Sequence, residues 1–215
     1  MSSVHVIMGL RRSGKTTLLR RILTPQPDRL VCVDSLGEFA ARGFAQAVTL
    51  DEYTHILTTR DTYRVAVRPY DFESFTYICD GAAARHDVTL AIDEIDLWLP
   101  HNAMMPPQGV LNMSLTGGHY GQTLVCVTHR PVCIHKAIKS QAVLWVFPMV
   151  DAVDCKTVLG DTRRLSCPEG IDPSQLQILR SDERGWIEAV EVARVDTTDV
   201  QLLSFDIRSG ALTSN

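Results

Sequence analysis

Short apolar runs recur along the chain at residues 4–8, 30–33, 63–67, 88–92, 124–127 and 143–147. Each has the length and the β-branched content of a buried strand. Segments of helical periodicity lie between them, and the spacing predicts helices over 15–23, 71–85, 134–141 and 151–159. Strands alternating with helices predict an α/β fold with a mainly parallel central sheet. The stretch PHNAMMPPQGVLNMSLTGGHYG, after Trp98, is only partly helical in pattern and reads as a long functional loop. Near the C-terminus, WIEAVEVARV and VQLLSFDI read as strands that extend or cover the sheet.

Composition narrows this little. A chain of 215 residues with 45% hydrophobic and 21% charged residues is expected to form one globular domain over 1–215. We divide it into a core of about 4–160 and an extension of about 161–215. No apolar run approaches the roughly 20 residues of a membrane span. MSSVHVIMGL carries no positive stretch ahead of its apolar residues, so it does not read as a secretion signal. Cytoplasmic placement is the expectation. None of the six cysteines forms a CxxC pair, and Cys32 and Cys126 fall inside strands, which favours buried thiols in a reducing compartment. A net charge of −4 argues against a static high-affinity clamp on nucleic acid, though not against contact through local basic loops.

The chemistry begins at GLRRSGKTT, residues 9–17, between the apolar VHVIM and the helical LLRRIL. This is GxxxxGK[ST] in its strand–loop–helix setting. Backbone N–H groups of Gly9, Arg11, Arg12, Ser13 and Gly14 can form an anion nest, reinforced by the helix N-terminus. Lys15 is expected on the β- and γ-phosphates of ATP, Thr16 on Mg²⁺ and Thr17 near the α-phosphate. Arg11 and Arg12 are further phosphate candidates. VTLAIDEID, residues 88–96, ends an apolar strand in two carboxylates. Asp93 is placed to hold Mg²⁺ through water and Glu94 to polarise an attacking water, while Asp96 reads as structural. A carboxylate pair remote in sequence from the loop favours water as nucleophile, hence an ATPase over a small-molecule kinase.

In order, GLRRSGKTT, VCVDSLGEF, LAIDEID and LVCVTHRP resemble the HerA/FtsK branch of P-loop ATPases. Asp34, Gly37, Glu38 and Phe39 match its second motif. Thr128, His129, Arg130 and Pro131 match its Thr-Gln-Arg-Pro, with histidine for glutamine. The resemblance covers about 4–147 and implies a three-layer P-loop NTPase fold of RecA-like, ASCE type. It also implies that the THRP strand lies between the phosphate-loop and acidic strands, with Thr128 and His129 facing the nucleotide. By size the chain is similar to the genome-packaging ATPases of membrane-containing viruses. That likeness implies a pentameric or hexameric ring, double-stranded DNA, a capsid vertex or portal partner, and work in the host cytoplasm or at the packaging vertex. Where relatives carry an arginine before the sensor strand this chain has Gly118, which leaves Arg130 and Arg85 as candidate fingers and His119 as a weaker one. Lys136 and Lys139, near Arg130 and His135, are candidate DNA contacts, with Arg163 and Arg164 a later basic pair. A secretion ATPase resembling the zonula-occludens-toxin family and a low-turnover nucleotide switch are the alternatives.

Overall fold

The computed structural model describes residues 4–11, 13–24, 27–41, 43, 45–99, 105–147, 189–195, 200–206 and 208–214. Among them, ten strands form one sheet. Strands β1 (Val4–Met8), β2 (Arg29–Val33), β3 (Gln46–Val48), β4 (Tyr63–Val67), β5 (Thr89–Ile92), β6 (Thr123–Thr128) and β7 (Val143–Val146) run parallel, in the spatial order β7–β1–β6–β5–β2–β4–β3. The sequence-predicted neighbours hold, since β6 lies between β1 and β5, with Val6 opposite Cys126 and Ala91 opposite Val125. Beyond β7 the sheet continues antiparallel through β8 (Ala189–Val195), β9 (Val200–Asp206) and β10 (Leu212–Ser214). The two C-terminal apolar segments thus extend the sheet.

Period-two alternation sends side chains of each strand to opposite faces, and both faces are covered. Val4, Val6, Val31, Val33, Leu90, Ile92, Leu124 and Cys126 enter one core beneath α3 (Leu50–Thr59), α4 (Phe72–Ala83), α5 (Gln108–Thr116) and α6 (Lys136–Lys139). Ile7, Leu30, Cys32, Ala91, Val125, Val127 and Trp145 enter the other, beneath α1 (Lys15–Ile22) and α2 (Glu38–Ala41). Leu18 and Leu19 of α1 are fully buried there, and each contributes about 2 kcal/mol of apolar transfer. This is the expected three-layer α/β architecture. Cys32, Cys79, Cys126 and Cys133 are buried.

β3 and α3 are among the elements that escaped the periodicity. β3 is three residues long at the sheet edge, too short to show alternation. α3 carries four residues of threonine or isoleucine in LDEYTHILTT, poor helix formers, and depends on its cap. Thr49 accepts from Glu52 N while the Glu52 side chain accepts from Thr49 N, a capping box visible in sequence as TLDE. The stretch expected as a loop holds α5, and α6 spans only 136–139 of the predicted 134–141. The helix expected over 151–159 lies outside the described residues, as do Arg12, Arg163 and Arg164.

Candidate functional site

Parallel strands place all their C-terminal ends on one edge, where ligands of open α/β sheets bind. Here β1, β2, β5 and β6 deliver Gly9, Asp34, Asp93 and Thr128 side by side. Gly9 (φ +144°) leaves β1 so close to Phe147 that a Cβ on it would meet Phe147 Cβ at 2.5 Å. No other residue fits. The loop closes through Ser13 Oγ, which donates to Leu10 O at 2.8 Å, and through Gly14 (φ +99°), which precedes α1. No side chain caps α1 and no acid sits in its first turn, so its leading N–H groups are left for an anion.

Lys15 is only 5% exposed. Its ammonium folds back on the loop, donating to Gly9 O at 2.9 Å, to Leu10 O at 2.5 Å and to His129 Nδ1 at 3.1 Å. Burial lowers its pKa to about 8; Asp93, Asp96 and Glu94 pull it back up, and Arg11 pushes it down. An ammonium only donates, so His129 Nδ1 is the acceptor and Nε2 carries the proton. That proton points at Glu94 Oε1, 2.9 Å away. Lys15, His129 and Glu94 therefore form one chain across the cleft.

Glu94 holds a left-handed backbone (φ 50°, ψ 55°), which costs a non-glycine residue about 1 kcal/mol. The turn it makes swings its carboxylate from the end of β5 toward β6. Next to it, Asp93 is 4% exposed, and its carboxyl is raised to about 6, first by burial, then by Glu94, Glu38 and Asp34, against the pull of Lys15. Its backbone is fixed by Asp93 N–H to Val33 O (3.2 Å) and by Ser35 Oγ to Asp93 O (3.2 Å), with Trp98 Nε1 donating to Ser35 Oγ (2.9 Å).

The second motif acquires roles that spacing alone did not disclose. Asp34 Oδ2 accepts from Phe39 N (3.0 Å) and Ala40 N (3.1 Å), and so holds the start of α2. Glu38, in that first turn, faces the cleft. Asp96, read as structural, accepts from His129 N at 3.4 Å and steadies that residue. One expectation fails. Thr128 is fully buried, and its hydroxyl donates to Arg130 O and accepts from Arg130 N, both at 3.0 Å. The tight turn before Pro131 consumes that hydroxyl, and the β6 residues that line the cleft are Val127 and His129.

The cleft has a volume of about 550 Å³. Arg11, Gly14, Lys15, Thr16 and Thr17 line it opposite Asp93 and Glu94. A hydroxyl and a carboxylate are oxygen donors of the kind Mg²⁺ takes, and a cation would relieve the cost of ionising Asp93. Among the described residues no group of three His, Cys, Asp or Glu could hold a metal alone. Mg²⁺ in nucleotide sites completes its shell with phosphate oxygens and water. The remaining candidates lie elsewhere. Arg130 is on the cleft edge without lining it. Arg85 is at the opposite edge of the sheet, where its carbonyl accepts from Gln122 Nε2 at 2.7 Å. That places it beside the Gly117–Tyr120 turn, which bonds Asp87 N through Tyr120 O at 2.9 Å. Lys136 and Lys139 sit on α6, with Ile138 between them in the core.

No family model matches the sequence, and no curated protein is significantly similar to it. Solved structures do share its fold. The genome packaging NTPase of Sulfolobus turreted icosahedral virus 2, in complex with ATP-gammaS, superposes with a TM-score of 0.63 at 15% identity, over 100% of this chain and 97% of that one. The DNA-packaging ATPase of Sulfolobus turreted icosahedral virus gives 0.61 at 16% identity, over 98% and 95%. The N-terminal domain of zonular occludens toxin from Neisseria meningitidis gives 0.42 at 11% identity, over 98% and 94%, too low to support an argument. The expected resemblance to packaging ATPases holds at the level of fold.

Proposed function

We propose that this chain is an ATP-hydrolysing motor that moves double-stranded DNA, as in packaging a viral genome into a procapsid. The observation that carries the reading is the meeting of Lys15, His129 and Glu94 in one cleft, from three segments far apart in sequence. Lys15 leaves the Gly9 and Leu10 carbonyls for the β- and γ-phosphates. His129, no longer accepting from Lys15, turns toward the γ-phosphate, and Glu94 is released to orient the attacking water. Thr16 and, through water, Asp93 would hold Mg²⁺, which would supply charge neutralisation at the phosphoryl oxygens. Without nucleotide the same three side chains satisfy one another.

On this reading the chain works as a single domain within a pentameric or hexameric ring. A neighbour's arginine completes each site, with Arg85 and Arg130 as candidates. Lys136 and Lys139 face the DNA backbone, and a capsid vertex is the docking partner. No helix among the described residues is long and apolar enough to cross a membrane. The test is ATP hydrolysis with and without double-stranded DNA, on protein whose mass in solution is measured in parallel. DNA is expected to stimulate turnover in an oligomeric fraction, and Lys15→Ala to abolish it. Hydrolysis surviving Lys15→Ala, or DNA-independent turnover by a strict monomer, would refute the motor.

A further inference from the structure

The C-terminal hairpin reaches α1 at Thr17, a residue that lines the cleft. β9 runs parallel to β1, because β8 reverses direction after β7 and β9 reverses it again. The turn between β9 and β10 therefore stands at the phosphate-loop edge. There Arg21 Nη1 donates to Gly210 O at 2.5 Å. Gly210 (φ +71°) lies so near α1 that a Cβ on it would be 3.2 Å from Thr17 Cγ2. The turn is held in shape by Asp206 Oδ1, which accepts from Arg208 N (2.8 Å) and Ser209 N (2.7 Å). Gly210 N donates to Asp206 O at 2.8 Å. Beneath it the fully buried Phe205 meets Phe147 edge-on, with centroids 5.4 Å apart. Phe147 is also the side chain against which Gly9 is pressed. Phosphate loop and hairpin thus share one support.

The cleft has a direction. Asp93, Glu94 and His129 mark the end where a γ-phosphate is cleaved, and Thr17 lies across the loop from them. A triphosphate laid between these ends directs its nucleoside past Thr17, toward the turn that touches it. We infer that the Arg208–Gly210 turn is the wall of the site on which the base and ribose rest, with the exposed Arg208 side chain over the ring face. A planar guanidinium stacks on a planar base, and the glycine lets the backbone approach α1 closely. This inference rests on the nucleotide reading of the cleft and adds to it the part of the chain that distinguishes a nucleotide from a bare polyphosphate.

Calorimetric titration with the magnesium salts of ATP and of inorganic tripolyphosphate separates the two ideas. Wild-type protein is expected to bind both, ATP more tightly. Arg208→Ala should weaken ATP about 5-fold, the size of a cation–π contact, and leave tripolyphosphate unchanged. Gly210→Ala, which pushes the turn off Thr17, should do the same or more. Equal losses for both ligands, or none for either, overturn the nucleoside wall while the phosphate site stands. Failure of the wild type to bind either ligand overturns both readings.

Discussion

At the N-terminal ends of the parallel strands, polar side chains bond to the carbonyls of neighbouring loops; at the C-terminal ends, ionisable side chains converge on one cleft and bond to one another as well as to the backbone. On the first edge Gln122, 4% exposed, donates through Nε2 to Ala83 O (2.8 Å) and Arg85 O (2.7 Å). Arg29 donates to Asp61 O (2.7 Å) and His86 O (2.9 Å). These links join neighbouring loops. On the other edge Lys15 and Asp93 are both pushed toward neutrality, and Glu94 holds a strained backbone. One edge is built for stability. The other retains a cost that a charged ligand would remove.

The largest test of that contrast is Glu94→Gln, which keeps shape and hydrogen bonding but removes the base. Hydrolysis should fall about 10²- to 10⁴-fold with ATP binding retained, as read by steady-state kinetics and titration. Full activity would place the water-activating group elsewhere.

Next is Asp93→Asn. A carboxyl raised from 3.8 to about 6 is ionised at a penalty of roughly 3 kcal/mol at neutral pH. A raised acid pKa means that the folded state holds its proton longer. The penalty is therefore absent below about pH 4, where both states are protonated, and complete above about pH 6. Nucleotide-free Asp93→Asn should be more stable than wild type by roughly 2–3 kcal/mol at pH 7.5, with the gap closing by pH 4, while hydrolysis is lost. Denaturant unfolding at the two pH values checks it. A variant less stable than wild type at both would mean that Asp93 holds the fold together.

On the tidy edge, Gln122→Ala strips two backbone carbonyls of their donor. It should cost about 1–3 kcal/mol, lower Tm by several degrees and leave kcat within a factor of about two. A large loss of turnover from this site would show that the two edges are coupled.

Much of this arrangement was legible beforehand. The bounds of β1 and β4 match the apolar runs to the residue, because five-residue buried strands show plainly against polar flanks. The glycine turn before α1 and the position of Asp93 and Glu94 at the end of β5 were readable because each lies within one short segment of fixed spacing. α3 was missed although its capping box was printed in the chain, since its threonines mask the helical period. Thr128 was assigned to the cleft and His129 given equal rank, whereas a local turn withdraws the hydroxyl and leaves the imidazole.

Sequence alone determined the α/β alternation, the glycine turn before α1 and the carboxylates at a strand end, because each follows from short-range periodicity or spacing. Only the tertiary structure decided that Lys15, His129 and Glu94 touch, that Asp34 holds α2 while Glu38 faces the cleft, and that a turn near residue 210 rests on Thr17. Apart from the Asp34 bonds to α2, which span five or six positions, those contacts join residues 35 to nearly 200 positions apart. Strand order and side-chain direction at the sheet edge bring them together, and neither is encoded in any local stretch of chain.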